Sequence, residues 1–278
     1  MFRYTKLTFL REIGFWLLAA VFLIPFYFLV MTAFKSDDEL FTTSPLGGPT
    51  HLAWENFAEL FTAQGNTNIV QGLINSVIMT VGSIVGLVLL GALTGYVLAR
   101  STRRWSKAAY YLFLIAIVLP SQLGTVPLYI GWRAIGLTGS LWGMIILYVG
   151  MLLPLAIFLY AGFFRGLGTE YEEAATIDGA SRSQVFFRIV LPLMSPATGT
   201  VAILTGLIVW NDFFTALIFM GGSANQTLPV SMYYFIGSLV SQWNRIFAIV
   251  LVSMIPILAF YLFAQKKFIQ GFAGGLKG

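Results

Sequence analysis

Polar side chains in costly surroundings are the first places in this sequence to look for chemistry. Asn211 and Asp212 interrupt an otherwise apolar stretch, flanked by Trp210, Phe213 and Phe214. A carboxylate inside such a stretch is expected to face a cavity or a partner rather than hydrocarbon. A second cluster, Glu170, Glu172 and Glu173, opens the polar segment TEYEEAATIDGASRSQVFFRIVLP. Catalytic constellations are not in view. His51 is the single histidine and lies in a loop, and the chain has no cysteine, so disulfides and thiolate metal sites are excluded. No lysine follows a glycine, so the phosphate-binding loop G-x-x-x-x-G-K-[ST] is missing. The chain reads as a non-enzyme without a cofactor or metal of its own; any ATP and magnesium chemistry is expected on a partner.

The elements that hold these residues follow from hydropathy. Charged residues make up 10% of the 278 and apolar ones 58%, against roughly 25% charged in soluble domains. The stretches 15–34, 69–99, 108–132, 134–164 and 247–265 carry no charge. Runs of about 18 or more such residues read as membrane spans, and in lipid the backbone must satisfy itself, which favours helices. We expect an all-α, polytopic membrane protein with six transmembrane helices, near 13–34, 70–98, 108–130, 141–164, 196–218 and 247–265. The basic start with Arg3, Lys6 and Arg11 resembles a signal peptide, but the apolar run is too long, and it reads as a retained first helix.

Thirteen of the 16 Lys and Arg residues fall in one set of connections or at the termini. The other set holds only Lys35, Arg133 and Arg245. By the positive-inside rule both termini are cytoplasmic, and the basic balance of +5 speaks for membrane orientation, not nucleic acid. Residues 35–68 then lie outside, with a short helix expected around 54–61. Gly82, Gly86, Gly91 and Gly95 form small-xxx-small pairs for close helix packing, or a hinge. Pro25, Pro120, Pro127, Pro154 and Pro256 lie in or near spans, where they kink helices or are absorbed by packing.

The long cytoplasmic loop, 165–191, reads as helix-turn-helix. Thr169 with Glu172, and Ser181 with Gln184, have capping-box spacing. Acids in the first turn suit the helix dipole, and Gly179 suits a left-handed helix end. Val185, Phe186 and Ile189 form an apolar stripe that must be covered, by the membrane surface or, preferably, by a cytoplasmic partner.

Within that loop, Glu173-Ala174-Ala175, three residues, Gly179, nine residues, Ile189, one residue, Leu191-Pro192 resembles the EAA signature of importer-type ABC permeases at all seven positions. PFYFLVMTAFKSDDEL, IDGAS, VWNDFFTAL, TLPVSMYYF and QKKFIQGFAGGLKG, in this order, are similar to the smaller six-span permeases of the carbohydrate-uptake group, those of the maltose-permease type. The resemblance implies a single importer-type transmembrane domain over 1–278, in a prokaryotic inner membrane. It implies a second homologous permease, two ATPase subunits and an extracytoplasmic sugar-binding protein as partners, besides membrane lipid. It places ATPase coupling on Glu172, Glu173, Ala174, Ala175, Asp178, Gly179, Ala180, Ile189, Leu191 and Pro192, with Glu173 pairing to a basic ATPase residue. Trp210, Asn211, Asp212 and Phe213 are candidates for the sugar path, the alternative being that Asp212 is bonded to a neighbouring helix at the outer interface. The segment 221–229, with Gly222, Ser223, Asn225 and Gln226, is expected to be a flexible external loop, a linker or a contact to the binding protein. The tail 271–278 either frays or tucks between the ATPase subunits. Two other functions stay open: an importer permease for a non-sugar solute such as glycerol phosphate or a polyamine, and an ion-coupled secondary transporter. A phosphorylated solute would want basic groups in the spans, and none is internal; an ion-coupled carrier would want further carboxylates and inverted repeats.

Overall fold

The computed structural model describes residues 5–62, 65, 68–238 and 242–275. Among these the secondary structure is helical throughout. The elements are α1 (Lys6–Ala33), α2 (Asp37–Thr42), α3 (Glu55–Thr62), α4 (Ile69–Arg100), α5 (Arg104–Val118), α6 (Thr125–Ala134), α7 (Leu141–Gly166), α8 (Glu170–Ile177), α9 (Arg182–Gln184), α10 (Leu191–Leu193), α11 (Ser195–Asn211), α12 (Phe214–Met220), α13 (Leu228–Ser238) and α14 (Trp243–Gly275). Four helices hold unbroken stretches apolar and long enough to span a bilayer: Leu7–Ala33, Ile69–Arg100, Leu141–Gly166 and Trp243–Leu262. Two further pairs are bent, Arg104–Val118 with Gln122–Ala134 by 90° and Arg182–Leu193 with Ser195–Asn211 by 72°. Counting each bent pair as one span gives six.

The first bend corrects an expected straight span; the second falls between the loop helix and the span expected from 196. At the first, Leu119 precedes Pro120 and takes an extended backbone, φ −70° and ψ 130°, because the proline ring disfavours a helical residue before it. The stretch expected as one helix over 108–130 is therefore α5, a short 3₁₀ turn (Ser121–Gly124) and α6. Before the second, Val185–Val190 winds as a wide π turn, α10 follows with Pro192, which has no N–H to donate, and the chain turns at Met194, φ −80° and ψ 11°. The helix expected over 196–218 also stops at Asn211. Asp212 is extended, with ψ 118°, and α12 begins two residues later.

The chain divides into two compact units. The first holds Met1–Val70 and Met232–Ile255. Its long helix α1 displays apolar side chains outward, with Phe15, Trp16 and Phe22 70%, 78% and 68% exposed, as a span in contact with hydrocarbon does. Beyond α1 a polar clasp organises the connection. Asn56, 2% exposed, donates to the Ala33 and Lys35 carbonyls at 2.9 Å each, satisfying acceptors that a helix end leaves open. Asn244, fully buried, donates to the same Lys35 carbonyl at 3.0 Å and to Asn56 Oδ1 at 3.1 Å. Arg245 forms ion pairs with Asp37 and Glu59. Lys35, one of the few cations in the external set of connections, is 2% exposed and its Nζ donates to the Ser44 carbonyl at 2.8 Å.

The second unit holds Gln71–Ser231 and Pro256–Gly278. Its spine is α4 against α7. A Cβ on Gly82, Gly86, Gly91 or Gly95 would lie 2.7–2.8 Å from Ile145, Val149, Ala156 and Tyr160 in turn. The four glycines thus serve close packing along a single stripe. The core beside it comprises Leu87, Ala92, Ala156, Tyr160, Phe164, Ala175, Val185, Phe186, Val190, Met194, Ala197 and Val201. Helix α14 continues through the glycine-rich segment to Gly275, and 276–278 lie outside the described residues.

Candidate functional site

Two places in the second unit bring the candidate residues together. The first is the α7–α11 connection. Helix α8 ends in a Schellman motif: the Ala180 N–H bonds to the Ala175 carbonyl at 3.0 Å and the Gly179 N–H to Thr176 at 3.1 Å. Gly179 has φ +81°, the left-handed value that side chains oppose. Ser181 and Gln184 form the expected capping box, with Gln184 Oε1 accepting from the Ser181 N–H at 2.8 Å.

The other expected box does not form. Thr169 makes no side-chain cap, and its hydroxyl donates to Glu173 at 2.8 Å instead. Glu172 is drawn elsewhere: Arg100 Nε donates to it at 2.8 Å and the Tyr96 hydroxyl at 2.6 Å. The same guanidinium donates to the Phe164 and Leu167 carbonyls at 2.9 Å each. A cation at the end of α4 therefore closes the end of α7 and holds α8 against it. Both charges are largely shielded, with side chains 20% and 13% exposed, so removing one partner would cost about 3 kcal/mol. Glu172, assigned to ATPase contact, is thus an internal anchor.

The apolar stripe is corrected too. Val185 and Phe186 are each 4% exposed and pack in the chain's own core, with Ile189 and Leu191 against it. Tyr96 meets Phe164 and Phe186 edge-on or tilted, at 5.5 and 5.2 Å between ring centres. Ala175 is buried at 7%. These residues shape the loop from within, and no partner is required to cover them. What α8 presents outward is Glu170, Glu173, Ala174 and Ile177, the last 86% exposed. Their i, i+3, i+4, i+7 spacing places them on one face. Asp178 and Pro192 are also exposed. Ile177 is not among the residues singled out from the sequence; its place four residues after Glu173, on the same helix face, is the signal that could have found it.

The second place is a cavity of about 360 Å³ bounded by α5, α6, α7, α11 and α12. Among the described residues its polar lining is Gln122, Thr125, Tyr148, Asp212 and Thr215, of which Asp212 alone is charged. The carboxylate accepts from the Tyr148 hydroxyl at 2.8 Å, from Thr215 at 3.2 Å and from the Ala216 N–H at 3.2 Å. It caps the start of α12, where a negative charge suits the helix dipole, and still borders open space. Of the four residues named for the path, only Asp212 lines this cavity. Trp210 is 8% exposed, and the Asn211 amide donates back to the Leu207 carbonyl at 2.8 Å. Phe214 takes the lining position expected for Phe213.

The segment 221–229 is tied down rather than flexible. Asn225 donates to the Gly139 carbonyl at 2.9 Å, Asn75 to the Gln226 carbonyl at 2.9 Å, and the Leu228 N–H to Ser76 at 2.8 Å. Gln226 is 3% exposed, which removes its side chain from the proposed contact surface. Gly222 is exposed, and Ser223 and Asn225 are half-buried. Among the described residues no group of His, Asp or Glu could hold a metal.

This arrangement of helices has a solved counterpart. A bacterial ABC transporter involved in the import of the acidic polysaccharide alginate has a chain that superposes with a TM-score of 0.78, at 20% identity, over 96% of this chain and all of that one. The sequence goes further than the fold. A starch degradation products transport system permease protein (probable), AmyC of Thermoanaerobacterium thermosulfurigenes, is 33% identical over 93% of this chain and 92% of its own. The melibiose/raffinose/stachyose import permease protein MelC of Bacillus subtilis is also 33% identical, over 93% and 92%. Residues 87–273 match the family described as binding-protein-dependent transport system inner membrane component, and the chain belongs to it. It is a multi-span permease subunit of an ABC importer, working with a substrate-binding component and a separate ATPase on which ATP is hydrolysed.

Proposed function

We propose that the chain forms one half of the translocation path for a neutral sugar or oligosaccharide. A second homologous permease supplies the other half, two ATPase subunits dock on the cytoplasmic side, and an extracytoplasmic binding protein delivers the solute. Sugar as the cargo is supported by the names of the relatives above. The Asp212 cavity supports it chemically: a carboxylate beside Gln122, Thr125 and Thr215 offers acceptors to hydroxyls, while its one charge opposes an anionic solute. Both termini face the cytoplasm, as the distribution of Lys and Arg supports. Gly222, Ser223 and Asn225 border the binding protein.

The observation that carries the reading is the outward face of α8, where Glu173 and Ile177 stand free of the core that holds the rest of the loop. Glu173 meets a basic residue of the ATPase and Ile177 enters an apolar recess beside it. A charged hydrogen bond of this kind contributes about 1.5–3 kcal/mol. In proteoliposomes holding the whole complex, Glu173→Ala is expected to weaken ATPase retention about tenfold or more and to lower uptake. Asp212→Asn is expected to lower uptake of labelled raffinose or maltotriose with the ATPase still bound. Normal retention in the first variant overturns the coupling face; normal uptake in the second leaves Asp212 a helix cap only.

A further inference from the structure

A second cavity, of about 340 Å³, opens where α4 ends, α5 begins and α7 ends. Lys107 and Arg165 both line it, with Ser101, Tyr110 and Tyr111, and no acidic residue does among the described residues. The Arg165 guanidinium lies over the Tyr110 ring, 4.2 Å from its centre, which holds the cation in place before anything binds. Among the described residues neither Lys107 nor Arg165 takes part in an ion pair. Two cations facing one cavity repel each other, and an anion between them relieves that repulsion. The coupling residues lie on the outward face of α8 and contribute nothing to this lining.

The surroundings say which anion. From Lys107 the exposed face of α5 runs through Tyr111, Ile115 and Val118, at 62%, 56% and 82% exposure. Leu112 beside them is 67% exposed, and Trp105, before the cavity, is 55% exposed. Cationic groups at one end, interfacial aromatics beside them and an apolar strip beyond match a phospholipid placed headgroup to acyl chain. We propose that Lys107 and Arg165 bind the phosphate of an anionic phospholipid in the cytoplasmic leaflet, with the acyl chains along α5. The choice of leaflet rests on the orientation proposed above; the binding chemistry does not.

Native mass spectrometry of the detergent-purified complex, titrated with phosphatidylglycerol or phosphatidylcholine, tests this without reference to orientation. Phosphatidylglycerol is expected to bind more tightly. Lys107→Gln and Arg165→Gln are each expected to weaken it about fivefold, and Arg165→Lys less, with phosphatidylcholine unchanged in all three. Retention of every partner subunit confirms that the variants are folded. Equal affinity for the two lipids, or no loss in the double variant, overturns the site. Displacement of phosphatidylglycerol by millimolar inorganic phosphate would assign it to free phosphate instead. Unchanged lipid binding with loss of ATPase subunits would assign the cavity to an acidic surface of the partner.

Discussion

Arg100 holds one oxygen of Glu172 with both Nε and Nη2, and the Tyr96 hydroxyl donates to the other at 2.6 Å, while one position on, Glu173 pairs with Thr169 and faces outward. Adjacent identical residues are thus divided between holding the loop and presenting it. A similar economy appears at Glu39, which caps α2 and accepts from both the hydroxyl and the N–H of Thr50. Those bonds, the Thr50 hydroxyl first, bring its pKa from the ordinary 4.5 down to about 2. A carboxyl lowered on folding stabilises the fold above its unfolded value and ceases to as pH falls through its folded one. Wild type is therefore expected to melt above Glu39→Gln at pH 6, and the gap to close between about pH 4.5 and about pH 2. Thermal unfolding of both proteins across that range measures it; a gap independent of pH would show that Glu39 acts by packing. From sequence, Glu172 and Glu173 were indistinguishable by type, because the residue that separates them, Arg100, is 72 positions away.

Among the elements, the turn after α8 is set by Gly179. A Cβ there would meet nothing within 4 Å, so substitution acts through the backbone alone. Gly179→Val is expected to cost about 1–2 kcal/mol and to open the loop to proteolysis, whereas Gly179→Asn, which tolerates a left-handed backbone, costs less. Limited trypsin cleavage at Arg182, timed for each variant, reads this out; equal rates would mean the turn is not strained by a side chain. Features of this local kind were legible in the sequence: the Ser181–Gln184 box, Gly179, the short helix after Trp54 and the apolar spans. Features that depend on a distant partner were not. The Thr169–Glu172 box lost its glutamate to α4, and the stripe of Val185, Phe186 and Ile189 turned inward onto Tyr96 and Phe164. Pro120 lay in view, yet hydropathy alone read straight through it. The Asp212 cavity was half legible: the carboxylate stood out, but Tyr148 and Gln122, which share its cavity, come from separate helices.

For the whole molecule, the distribution of basic residues supports the proposed orientation, and the absence of cysteine makes it simple to test. A single cysteine at Thr102 is expected to resist a membrane-impermeant maleimide in intact cells, and one at Ala224 to react. The opposite pattern would invert the chain in the membrane. The glycine stripe between α4 and α7 has a mechanical consequence. Backbones locked that closely, with an interior as incompressible as a crystal's, cannot shear past one another and must turn together. Tyr148, at the cavity, and Phe164, whose carbonyl Arg100 grips, lie about 24 Å apart along α7. A push on the outward face of α8 is then carried as by a crank: a tilt of about 10° swings the far end of such a rod by about 4 Å, the scale of a hydroxyl group passing its acceptor.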